Sequence, residues 1–172
     1  YLNKKVLLID IDPQANATQG IGIDRLKMNG SIYDLIVNES EITDVILKSN
    51  VPNLDVVPSS IDLAGADLEL AEVKIGRERR LKEQLALIRD NYDYLLIDCP
   101  PSLGLLNTNA LTASDTVIIP VQCEYYALEG LTQLLSTIRL TQQVFNPSLS
   151  IEGVLLTMLD QRTNLGIEVS QE

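Results

Sequence analysis

Five short apolar runs punctuate the chain. They are Val6–Asp10, Leu54–Ser59, Tyr92–Pro100, Asp115–Gln122 and Ile151–Asp160. Each gathers Val, Ile and Leu without a clean apolar–polar alternation, which predicts strands covered on both faces. Helical spacing fills the intervals. Leu81, Leu85 and Ile88 share one helix face, as do Ile42, Val45 and Ile46, and then Leu128, Leu131, Leu135 and Ile138. Ser60 and Asp62 stand where they would cap a helix over 63–73. Strands alternating with helices predict an α/β fold: three layers, a mostly parallel sheet with helices on both faces, and right-handed crossovers. There is no internal repeat, low-complexity tract or long linker. Residues 1–172 therefore read as a single domain, and an incomplete one.

The polar residues that end these runs carry the candidate chemistry. In an open parallel sheet, ligands bind beyond the carboxyl ends of the strands. Asp10 and Asp12 end the first run, Asp98 the third, Gln122 and Glu124 the fourth, and Asp160 the fifth. Asp10 and Asp98 each follow three apolar residues directly. A half-buried carboxylate is costly unless it is paired or bound to a metal.

Composition narrows the chemistry. The chain has no histidine, which removes imidazole acid–base catalysis and most structural zinc sites. A bound metal would take oxygen ligands, which favours magnesium. Cys99 and Cys123 fit neither a disulfide framework nor a metal spacing and read as reduced and partly buried. A net charge of −11 opposes non-specific nucleic-acid binding by the chain as a whole, so any DNA contact needs a local basic patch. Arg77, Arg79, Arg80 and Lys82 form such a cluster, read as a solvated helix face. No apolar run approaches the ~18–20 residues of a membrane span, and "YLNKK" has no signal-peptide pattern. The expected location is the cytoplasm.

Three apolar residues and an aspartate at a strand end resemble the Walker B element of phosphate-transfer sites. Its usual partner, G-x-x-x-x-G-K-[ST], is absent from the 172 residues. Three longer stretches make the resemblance specific. "KKVLLIDIDPQANAT" resembles the segment after the phosphate loop in the ParA/Soj family of partition ATPases, relatives of MinD. "YDYLLIDCPPSLGLLNTNALTASDTVIIPVQCEYYALEGLTQLL" is similar to that family's Walker B region, and "GVLLTMLDQRTNLG" to its next strand and turn. The segment "IDLAGADLEL" fits as well. The similarity covers nearly the whole chain. It departs from the family in lacking the deviant Walker A loop K-G-G-V-G-K-T-T and the C-terminal part of the domain, and in having Ala15 where many relatives have glycine.

The resemblance implies roles residue by residue. Asp12 would position the attacking water as the catalytic residue. Asp10 would lie near the magnesium shell, and Asp98 would be the Walker B aspartate holding the metal. The "CPPSLG" loop would be a switch, stiffened by Pro100 and Pro101 and turned at Gly104. Met158 and Asp160 would sit at the adenine pocket, and Arg162 is a candidate DNA contact. The cofactors implied are ATP and Mg2+. The partners implied are a second copy on ATP binding, non-specific DNA and a ParB/Spo0J-type protein, with no membrane. The implied location is the nucleoid, in chromosome or plasmid partitioning. The phosphate loop is expected upstream of Tyr1, so this polypeptide alone is expected to be inactive.

Three other readings compete. A truncated, non-catalytic chain could retain only a dimer- or partner-contacting surface. A phosphatase with an Asp-x-Asp pair fits "DIDPQ" superficially, but needs a lysine at a later strand end that "TMLDQR" lacks. A receiver domain would place its phosphorylated aspartate within about 50 residues of the first pair. Asp98 lies 88 residues after Asp10.

Overall fold

Leu7 and Ile9 are fully buried, and they fix the first run as the centre of a sheet. A computed structural model of the chain describes residues 3–24, 28–122 and 127–158. The chain divides into two compact units, 1–113 and 114–172.

In the first unit, β1 (Val6–Asp10) lies between β3 (Leu54–Val57) and β4 (Tyr94–Asp98), parallel to both. A two-residue strand, β2 (Leu47–Lys48), adds antiparallel to β3, giving the order β2-β3-β1-β4. Helices α2 (Ile32–Ile36), α3 (Ile42–Val45), α4 (Ala66–Glu72), α5 (Arg80–Ala86) and α6 (Leu105–Ala113) complete the core. Leu7, Ile9, Leu35, Leu63, Leu70, Leu81 and Leu106 meet there. Each such side chain contributes about 1.5–3 kcal/mol on burial.

Local chemistry sets the helix ends. Ser31 and Asp34 form a capping box on α2. Ser60 makes no capping bond. A 3-10 turn over Ile61–Gly65 intervenes before α4, which begins at Ala66 rather than at Leu63. The basic cluster is not a solvated face throughout. Arg80 donates to the Ile36 and Val37 carbonyls at the end of α2, at 2.8 and 3.0 Å, and pairs with Glu39 at 2.6 Å. Arg77 donates to the Ala71 carbonyl and pairs with Glu78.

In the second unit, β5 (Thr116–Gln122) and β6 (Ser150–Thr157) pair in parallel, and α7 (Ala127–Val144) connects them. Ile119, Val121, Ile138 and Leu149 are buried. Among the described residues, no helix is long and apolar enough to cross a membrane.

Candidate functional site

The end of β1 is built by register. Asp10 is the direct partner of Asp98 on β4, so the two side chains leave one face of the sheet side by side. The ladder runs one residue further, with the Ile11 N–H donating to the Asp98 carbonyl at 2.9 Å. Asp12 follows on the loop that enters α1 (Asn16–Gly20).

These three carboxylates live in different surroundings. Asp10 is fully buried. Its Oδ2 accepts from the Thr18 N–H and the Thr18 hydroxyl, both at 2.7 Å, and its Oδ1 from the Asp12 N–H at 3.2 Å. Asp12 is half-buried. Its Oδ1 accepts from the Gln14 N–H at 2.9 Å, and its other oxygen takes no hydrogen bond from the described residues. Asp98 is exposed, yet local desolvation raises its carboxyl above the usual range, and the Asp10 and Asp12 carboxylates add to that.

The loop after Asp98 is held from α4 and α6. The Asp67 carboxylate accepts from the Leu106 N–H at 3.1 Å, at the start of α6. Asn107 Nδ2 bridges the Pro100 and Ser102 carbonyls. Gly104 does not adopt a positive φ; a β-carbon there would collide with the Asp67 carboxylate, which would have to shift. Cys99 is exposed, not partly buried, and Cys123 lies outside the described residues.

Ala15 explains a feature of the loop. It enters α1 with φ 55° and ψ 39°, the left-handed conformation that glycine adopts most easily.

The donor set fits a hard divalent cation. Oxygen is the available ligand type, and like charges at the end of β1 are relieved by a positive ion. Among the described residues no three acidic, histidine or cysteine side chains close around one point. Magnesium keeps several waters and takes one or two carboxylates plus substrate oxygens. Asp98, with its exposed carboxylate, is the better placed ligand. The oxygens of Asp10 are already occupied by protein donors.

Of the remaining candidates, Met158 lies just past β6 and is 82% exposed, with φ 53°. Asp160 and Arg162 lie outside the described residues, as does Glu124. Gln122 is the exposed last residue of β5. Thr18 and Ser59 have no counterpart in the sequence reasoning. Both are fully buried beside Asp10 and Asp12. Ser59 closes the second apolar run, whereas Thr18 lies eight residues after Asp10 and carries no such signal.

A family model described as an AAA domain matches residues 1–151. The sporulation initiation inhibitor protein Soj of Bacillus subtilis is 60% identical over 172 residues, covering 100% of this chain and 68% of the relative. The chromosome partitioning protein ParA of Myxococcus xanthus is 48% identical over 169 residues, covering 98% of this chain and 59% of the relative. Among solved structures, a cobyrinic acid a,c-diamide synthase from Mycobacterium smegmatis, with bound ATP analogue and magnesium, superposes with a TM-score of 0.90 at 39% identity. That match covers 98% of this chain and 68% of the other. The chain thus spans about two thirds or less of the lengths of these proteins.

Proposed function

Because the chain belongs to the Soj/ParA family of partition ATPases, we propose that it carries the water-positioning and metal-holding part of an ATP-dependent DNA-partition switch. The observation that carries this reading is the placement of Asp12. It hangs half-buried from a buried strand end, with one carboxylate oxygen uncommitted, beside the raised carboxyl of Asp98.

The chemistry follows from that placement. Asp12 would accept a hydrogen bond from a water and so orient it for attack on the nucleotide. Asp98 would hold the magnesium ion. When bound, magnesium neutralises charge on the phosphate oxygens. The bound ATP analogue and magnesium of the mycobacterial synthase support both cofactors for this chain. Family membership supports the wider cycle. ATP-bound copies pair, the pair binds DNA non-specifically on the nucleoid, and hydrolysis releases it; a ParB/Spo0J-type protein is the partner, in the cytoplasm. Met158 and Asp160 at the adenine and Arg162 at DNA remain part of this proposal. The family model crosses the boundary between the two units, which supports one nucleotide-binding domain.

The test is Asp12→Ala in the full-length protein. Hydrolysis should disappear while ATP binding stays largely intact. Normal turnover by that variant would remove Asp12 from the mechanism. The absence of G-x-x-x-x-G-K-[ST] from these 172 residues favours an alternative reading: this polypeptide by itself is non-catalytic and retains only a dimer- or partner-contact surface. Calorimetry of the chain should then detect no tight Mg-ATP binding, and micromolar affinity would overturn it.

A further inference from the structure

A closed set of buried hydrogen bonds ties the Asp12 loop to two strands. Asp10 Oδ2 receives the Thr18 hydroxyl and the Thr18 N–H, each at 2.7 Å. The Thr18 hydroxyl oxygen in turn accepts from the Ser59 N–H at 3.0 Å. The Ser59 hydroxyl then donates to the Asp12 carbonyl at 2.6 Å. Asp10, Thr18 and Ser59 are all fully buried. Asp10 ends β1, Ser59 lies two residues past β3, and Thr18 lies in α1. Buried networks of this kind, with each member satisfied, hold one geometry and exclude others.

We propose that Thr18 and Ser59 are positioning residues for Asp12, and that the Asp10 carboxylate serves as their anchor rather than as a direct ligand of the metal. Ser59 fixes the Asp12 backbone by its carbonyl. Thr18 fixes Ser59 and closes the loop onto Asp10. The backbone at Asp12 is thereby held from β3 while its carboxylate stays free to meet a water. In catalysis the geometry of the oriented water decides the rate, and displacement of about 1 Å costs on the order of 100-fold. This inference rests on the hydrolytic reading of Asp12.

The experiment is steady-state kinetics of the full-length protein, with Mg2+ titrated at fixed ATP. Thr18→Val and Ser59→Ala should each lower kcat by roughly 10–100-fold with KM for ATP changed by no more than about twofold. Thr18→Ser keeps the hydroxyl and should restore kcat. The double variant should be little worse than the weaker single one, because both break one network. Asp10→Asn should leave the Mg2+ midpoint in place. If Ser59→Ala does not fold, Ser59→Cys keeps the volume with a weaker donor and should show the same split. Wild-type kcat in Thr18→Val and in the Ser59 variant, or a Mg2+ midpoint moved about tenfold by Asp10→Asn, overturns the proposal. Asp12→Ala, measured in parallel, separates the two failures. An active Asp12→Ala sinks the hydrolytic reading, whereas an inactive Asp12→Ala with normal Thr18 and Ser59 variants sinks only the brace.

Discussion

Carboxylates stand at both ends of the four-stranded sheet, and the two ends treat them in opposite ways. At the amino end, Asp55 is buried and receives Lys48 Nζ at 2.7 and 2.9 Å and the Tyr92 hydroxyl at 2.8 Å. Burial works against its ionisation, but these bonds outweigh that and hold the carboxyl below the usual range. Burial, with help from Asp55, pushes the Tyr92 phenol up to about 12, and Lys5 lies 4.6 Å from its ring centre. A cavity of about 290 Å³ opens there, lined by Lys5, Lys48, Asn53 and Asp55 among others. Its acid is already neutralised from within. At the carboxyl end, Asp98 has no cationic partner among the described residues, and its carboxyl is raised. A charge cluster that the fold itself completes belongs to stability. One left incomplete is the mark of a site.

That contrast can be broken at either end. The largest effect belongs to Asp12→Ala, which should remove ATP hydrolysis from the full-length protein while leaving its thermal melt nearly unchanged. Asp55→Ala should do the reverse. Removing the acceptor of the Tyr92 hydroxyl should cost about 1–3 kcal/mol, read by chemical denaturation, with full-length turnover per folded molecule unaltered. Asp55 also predicts a pH dependence. Its folded pKa is depressed, so its contribution is present above the unfolded value and is lost as pH falls through the folded one. Stability should therefore decline below about pH 4, and Asp55→Ala should flatten that decline.

Smaller effects sharpen the carboxyl end. Ala15→Gly relieves a left-handed backbone and should raise stability by about 1 kcal/mol in a denaturant titration. Smallest is Asp98→Asn. The raised pKa means that ionised Asp98 opposes folding, so the neutral amide should lift Tm at pH 7, by a small margin because solvent screens this exposed carboxylate. The gain should vanish in acid, where Asp98 is protonated in both states. A lower Tm at pH 7 would mean that Asp98 has a stabilising partner.

Much of this was legible in the residues. All five apolar runs became strands, but the expected cover on both faces holds only for β1 and β3: β4 exposes Tyr94 and Leu96, β5 exposes Ile118, and β6 exposes Val154 and Leu155. The α/β architecture followed from their alternation with helices. Strand β2 escaped because Leu47 and Lys48 follow directly on the helical spacing of Ile42, Val45 and Ile46, and because a two-residue edge strand depends on its neighbour. Helix α6 escaped for another reason. Asn107, Asn109 and Thr112 are buried in it alongside Leu106, Ala110 and Leu111, so no polar face marks its period. Asn109 faces inward because it serves the Leu81 N–H and the Arg77 carbonyl, partners about 30 residues away. The site divides along the same line. Asp10, Asp12 and Asp98 announce themselves as charges at the ends of apolar runs. The link from Thr18 to Ser59 spans 41 residues and exists only once β3 lies beside β1.

The bond from the Ile11 amide to the Asp98 carbonyl has a mechanical meaning. It extends the rigid ladder past the last strand residue and makes Ile11, itself fully buried, a fulcrum. Beyond it, the segment that bears Asp12 is pinned at both ends, by the Ile11 amide and by the Ser59 tether. Its position is thereby indexed to the strand that carries Asp98, and the two carboxylates share one backbone frame.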